Sequence, residues 1–310
     1  MDLGYSSPAL SAFGEAQVIA GEKTAQSGGE HGPQIISIST AFNPETHSTE
    51  PDLAFSSSDN VLFYVDTKVL AKASPQAFQS LISAPPLHET PPGSMRIVLI
   101  QEASPVLNVM LHVLYGTSCA RHSPTFEVLA DAVNHMPLYK ISPTTHITPS
   151  SHIYSTLVAY APVYPLELYA LAGHHHLYEL AVATSSHLLS YQIPSMSEET
   201  AQRMGSLYLK RLFDLHLNRF NALREMLLRP PHPHLPTKEC SLADQGALRR
   251  AWALASAYLA WEARADLSTH GIKLVFGPLI KQLACQLCKE SLETMLREIV
   301  ARWASVKHTI

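Results

Sequence analysis

The sequence predicts an α+β protein: a head in which a short sheet is covered by helices, followed by an all-α region. Three observations carry that expectation. Val61, Phe63 and Val65 alternate with Leu62 and Tyr64, the period of two of a strand with one face on a core. Residues 95–100, MRIVLI, form a nearly continuous apolar run that reads as a strand buried on both faces. Beyond residue 150 no strand pattern recurs, while apolar residues return at helical spacing.

Residues 1–43 are expected to form a disordered tail, because GEAQVIAGEKTAQSGGEHGP cannot bury enough apolar surface to offset its ordering entropy. Within it, QIISISTAF (34–42) is open between an edge strand and a flexible lead-in. Residues 52–82, DLAFSSSDNVLFYVDTKVLAKASPQAFQSLI, then offer strand, polar turn, strand and two short helices. Ser74-Pro75 reads as a cap and first-turn pair, with Phe78, Leu81 and Ile82 on one face of the helix it starts. SAPPLHETPPG (83–93) is a proline-rich loop. Ser104-Pro105 and Ser123-Pro124 repeat the cap device. The first helix ends at Gly116 and the second buries Phe126, Leu129, Ala132, Val133 and Met136.

Short helices are expected over 151–160 and 165–191, the latter bent around 173–176. Ser195 with Glu198 is a candidate capping box for a long helix ending before Pro230-Pro231. RPPHPHLPTKEC (229–240) is then a stiff, extended loop. In AWALASAYLAWEAR, Trp252, Tyr258 and Trp261 read as buried area, although the same stripe could be a partner-binding groove. Ser268 caps a last helical region that breaks at Gly277-Pro278 and resumes over 279–303.

Composition narrows the function. A net charge of -4 with 15% charged residues leaves no basic stripe for nucleic acid. No apolar run is long enough to span a membrane and the start has no signal-peptide pattern, so an intracellular protein is expected. No GxSxG elbow, phosphate-binding glycine loop or HExxH is present, so catalysis has no visible footing.

Two clusters invite metal chemistry. His174, His175 and His176 are consecutive, and consecutive helical residues point about 100° apart, so they read as a polar helix junction. Cys285-x-x-Cys288 is stronger: thiols three apart late in a helix share a face. Cys240, with His232 and His234 of the proline loop, could complete a closed tetrahedral set, giving His234, Cys240, Cys285 and Cys288 as ligands of a structural zinc. The other reading of these cysteines, as small buried hydrophobes, stays open.

Taken together, residues 53–141 resemble a BTB/POZ domain. The resemblance rests on Asp52, Asp59, Val61 to Val65, Val69, Leu70, Ala71, Ser74 and Phe78, then on 97–100, 111–116 and 129–136. Asp66 stands where the family usually has histidine. Residues 151–191 are similar to the BACK-like helical extension that follows many such domains, and the whole resembles the large fungal branch. The resemblance implies a BTB/POZ-like domain over 44–141, a helical extension over 142–194 and an all-helical domain over 195–310. It also implies protein partners, homodimerisation, and an adaptor role toward a cullin-type ubiquitin ligase or as a scaffold. The expected function is thus a non-catalytic interaction module. The alternative is a metal-dependent enzyme in which His234, Cys240, Cys285 and Cys288 line an open pocket.

Overall fold

Alternation over residues 53–65 becomes an antiparallel hairpin in the computed structural model, which describes residues 37–46, 49–85 and 95–310. Strand β1 is Ser37–Ile38, β2 is Leu53–Ser56, β3 is Val61–Val65 and β4 is Arg96–Leu99. The sheet order is β1-β3-β2-β4: β2 and β3 pair antiparallel, with Phe55 opposite Phe63, while β1 on β3 and β4 on β2 are parallel. The protein is therefore mixed α+β, with helices dominating.

The chain divides into two units that meet in sequence at Ile153 and Tyr154. In the first, α1 is Thr67–Ala73, α2 Gln79–Ile82, α3 Ser104–Tyr115, α4 Phe126–His135 and α5 Pro143–His146. Its core joins Phe55, Phe63, Leu70 and Phe78 to Leu107, Met110, Leu111, Leu129 and Met136, all buried. The stripe expected on α4 is buried throughout. Of the expected tail, residues 1–36 lie outside the described residues, whereas Ser37–Ile38 form the edge strand and Phe42 is buried against Tyr115, with ring centroids 5.2 Å apart. The proline-rich loop falls outside the described residues from 86 to 94.

Four expectations are corrected here. Ser74 ends α1 instead of starting a helix: its N–H bonds the Leu70 carbonyl, and Phe78 turns the chain at φ 54°, its N–H held by the Tyr139 carbonyl. The cap of α3 comes from the hairpin turn, where the Asp59 carboxylate accepts from the Ser104 N–H at 2.8 Å and the Ser104 hydroxyl at 2.6 Å. For α4 the cap is Thr125. Strand β4 is an edge, not a central strand, and it exposes Ile97 (52%) and Leu99 (63%).

Asp66 caps α1. Its carboxylate accepts from the Lys68 N–H at 2.8 Å and from the Thr49 hydroxyl, while its own N–H donates to the Tyr115 hydroxyl. The Thr49 hydroxyl first, and the helix N–H groups with it, hold the carboxyl below its ordinary value of 3.8 against the opposing effect of burial. A folded pKa lying below the unfolded one contributes stability above about pH 4 that is lost as pH falls through the folded value. Asp66→Ala is accordingly expected to cost about 1–2 kcal/mol at pH 7. Thermal melts from pH 7 to pH 3 check this, since the difference between variant and parent should shrink below about pH 4.

The second unit is helical: α6 is His152–Ala159, starting just before the junction, α7 Pro165–His174, α8 Tyr178–Ser185, α9 Glu198–Met204, α10 Ser206–Leu227, α11 Leu242–Glu262, α12 Thr269–Gln282 and α13 Gln286–Ser305. The bend expected near 173–176 separates α7 from α8. No capping box forms at Ser195: the N-cap is Ser197, whose hydroxyl accepts from the Thr200 N–H, and the long helix is divided at Gly205 (φ 79°). Gly173 lets α7 and α9 approach closely: a Cβ there would lie 2.5 Å from the Met204 carbonyl oxygen. Helix α12 continues through Gly277 and Pro278 instead of breaking; the interruption comes at 283–285.

In the C-terminal half, Trp252 stacks on Phe276 at 4.3 Å and Trp303 donates to the Leu267 carbonyl at 2.7 Å, within a core that includes Leu259, Ile272, Leu292 and Ile299. Only Trp252 of the expected aromatic stripe is buried. Tyr258 and Trp261 are 59% and 87% exposed, because residues six and nine positions on from Trp252 rotate away from the core face.

Candidate metal centre

The connection between α10 and α11 carries Pro230, Pro231, Pro233 and Pro236, which limit it to extended backbone. Thr237 and Cys240 then exchange backbone hydrogen bonds of 3.0 and 3.3 Å, folding the end of the loop back on itself. Ser241 follows at once as the cap of α11, in a reciprocal box with Asp244. These local constraints fix where His234 and Cys240 stand.

Their partners come from the break after α12. Cys285 is the N-cap of α13 and Cys288 lies in its first turn, not late in a helix as the sequence pattern suggests. The consequence is chemical: an N-cap thiol sits against free helix N–H groups. The Cys288 N–H first, with that of Leu287, draws the Cys285 thiol down to about 7 against the effect of burial. Burial pushes Cys288 up to about 12, together with its Cys240 and Cys285 neighbours, and burial also raises Cys240. Three thiols this close cannot all become thiolates unless a cation offsets the charge.

The four donors converge. The His234 Nε2 lies 3.3 Å from the Cys285 Sγ and 3.3 Å from the Cys288 Sγ, and Cys240 and Cys288 Sγ are 3.8 Å apart. All four donor atoms fall within 4.8 Å of one another, the only such His, Cys, Asp or Glu group of three or more among the described residues. Cys240 and Cys288 are buried, His234 and Cys285 half-buried. The His234 Nδ1 lies 2.7 Å from the Leu235 carbonyl, which can only accept, so Nδ1 carries the proton and Nε2 offers its lone pair to the centre.

His232 stands outside the group; its carbonyl accepts from the Ser291 hydroxyl at 3.2 Å. His174 ends α7, His175 is its C-cap residue and His176 (φ 57°) turns the chain toward α8. Sequence reasoning missed the supports: Gln245 donates to the His234 carbonyl at 3.1 Å, and with Ser291 it ties the loop to α11 and α13. Their spacing gave no signal, because their role depends on which loop lies over them. A hollow of about 370 Å³ opens beside Cys240, Cys285 and Asp244.

No helix among the described residues is long and apolar enough to cross a membrane. No family model, curated protein or solved structure matches the chain.

Proposed function

We propose that the chain is a non-catalytic protein-interaction scaffold. In this reading a BTB-like head dimerises or docks on a partner such as a cullin-type ubiquitin ligase, and it carries a helical unit closed by one structural zinc ion. The observation that carries the reading is the four-donor cluster. Zinc bonds of about 2.3 Å to sulfur and 2.0–2.1 Å to nitrogen, arranged as a tetrahedron, set S···S edges near 3.8 Å and N···S edges near 3.5 Å. Cys240 to Cys288 is 3.8 Å and His234 to Cys285 and Cys288 is 3.3 Å, with the other three pairs within 4.8 Å. Four protein donors fill the coordination shell, the arrangement of a structural site, and the ion acts as a cross-link between the proline loop and α13.

The adaptor half is supported by the order of elements in the head, which is hairpin, two short helices, parallel strand and two longer helices, and by the apolar edge that Ile97 and Leu99 leave open. A metal-dependent enzyme on the same residues is the second reading, favoured by the hollow beside Cys240 and Cys285; it requires one of the four donors to leave the ion.

Elemental analysis of protein purified without chelator should find about one zinc per chain, and less than about 0.2 would sink the zinc centre. Light scattering and affinity capture test the other half: a dimer or a co-purifying cullin supports the adaptor reading. A monomer that retains no cullin removes it and leaves the zinc centre standing.

A further inference from the structure

We infer that the thiol cluster is also a site of reversible oxidation, at which hydrogen peroxide joins Cys285 to Cys288 and so unclamps the proline loop. The release of metal rests on the zinc centre proposed above; the disulfide itself does not. Cys240, Cys285 and Cys288 are free thiols, and their sulfurs lie within 4.8 Å of one another. All three line the hollow of about 370 Å³ beside the cluster. Hydrogen peroxide is little larger than water, so it has room to enter.

Exposure selects the first sulfur. Cys240 and Cys288 are buried, whereas Cys285, at the N-cap of α13, is half-buried and meets an oxidant first. Geometry selects the second. Cys288 is the third residue of the helix that Cys285 caps. Residues three apart on a helix have Cα atoms about 5 Å apart, inside the roughly 4.4–6.8 Å that a disulfide spans. Rotation of the two side chains then closes the bond. The Cys240 sulfur is 3.8 Å from that of Cys288, but Cys240 belongs to another segment, fixed by its bridge to Thr237 and by the Ser241 cap that follows.

The oxidation balances between the pair and the peroxide. The Cys285 sulfur attacks one peroxide oxygen: an S–O bond forms, the O–O bond breaks, and the departing hydroxide leaves as water with the thiol proton. The Cys288 sulfur then attacks the Cys285 Sγ: an S–S bond forms, the S–O bond breaks, and the sulfenic oxygen leaves as a second water with the Cys288 proton. Two thiols lose two electrons and two protons, and the peroxide gains them. Where zinc has held the sulfurs as thiolates, the two protons come from solvent. The ion then departs, because His234 and Cys240 are what remains of the donor set. The loop loses its cross-link to α13 and is left with hydrogen bonds such as those from Gln245 and Ser291 to the His234 and His232 carbonyls. Peroxide opens the clamp, and a thiol reductant with zinc resets it.

The test treats the full chain, as purified, with hydrogen peroxide and quenches with catalase. Intact mass, an unreduced peptide map and zinc release to a chromophoric chelator are then read together. The expected result is a chain lighter by two hydrogens, a bond mapped to Cys285 and Cys288, and release of about one zinc per chain in step with that bond. Dithiothreitol followed by zinc should restore the starting state. Cys240→Ser should still form the bond, whether or not it retains zinc. Cys285→Ser should slow thiol oxidation at least about tenfold, since the remaining thiols of the cluster are buried, with the helical circular dichroism intact in both variants. A bond that forms in a chain carrying no zinc sinks the zinc centre and leaves the oxidation site standing. Thiols that stay reduced at a peroxide concentration that oxidises free cysteine, a bond mapped to Cys240 or between chains, oxidation past the sulfenic stage without a disulfide, or an unslowed Cys285→Ser would overturn the assignment.

Discussion

Cys288→Ser is expected to reduce bound zinc from about one ion per chain to background and to lower the melting temperature by about 6–12 °C. Cys288 lies 3.3 Å from His234 and 3.8 Å from Cys240, and it is buried. A serine hydroxyl there neither ionises nor binds zinc well, so the remaining donors lose their common partner. Structural zinc contributes about 10–16 kcal/mol of apparent binding energy in small zinc-finger peptides. The loss here is smaller, about 3 kcal/mol, because α11, α12 and α13 keep the core around Trp252, Phe276, Leu292 and Trp303 when the loop lets go. Hydrogen exchange distinguishes this local release from global unfolding: protection should fall in residues 229–241 and the first turn of α13, and persist around Ile299. Cys119→Ser, at a buried cysteine outside the cluster, should leave the zinc content unchanged.

The second large effect is expected at Arg219. Its side chain is 6% exposed, donates to the carbonyls of Ala265, Val306 and Lys307 at 2.6, 3.0 and 3.1 Å, and lies over the Trp303 ring at 4.4 Å. One planar fork thus ties α10 to the turn before α12 and to the segment after α13. Arg219→Met keeps most of the packing but leaves carbonyls without donors and removes the cation from the ring, a loss of about 3–5 kcal/mol. Arg219→Lys should recover little of it, because an ammonium cannot span carbonyls on two segments or stack on the indole. Urea unfolding checks both variants, and the midpoint should fall without a change in slope.

Why some of this was legible and some not is a matter of range. Val61 to Val65, the α4 stripe and Gly116 obey short-range rules, and the chain folds there as the pattern implies. The Ser-Pro pairs mislead because a cap can be supplied from far away in sequence: Asp59 serves Ser104 across 45 residues. MRIVLI reads as a central strand on composition alone, but position in a sheet is a tertiary property, and the strand ends at an edge with Ile97 and Leu99 in solvent. The break at 283–285 carries neither glycine nor proline, whereas Gly277-Pro278 carries both and is helical, in a helix whose core face buries Ile272 and Phe276. The donor set was nearly legible because the proline loop and CxxC together hold only five His or Cys side chains, and the structure leaves just His232 outside the group. That Cys285 occupies a helix N-cap was not, since it depends on that unsignalled break.

The proline loop and the start of α13 also bear on how the unit assembles. His234 and Cys288 are 54 residues apart, and bringing such distant points together costs roughly 3–4 kcal/mol of loop-closure entropy. In the zinc centre proposed above, the full set of donors meets only once α11 and α12 have brought 234–240 to 285–288, so capture by all four is expected to come late in folding. The rate of zinc uptake after dilution from denaturant then times the closure of that helical hairpin, a clock written into the chain by the distance between its ligands.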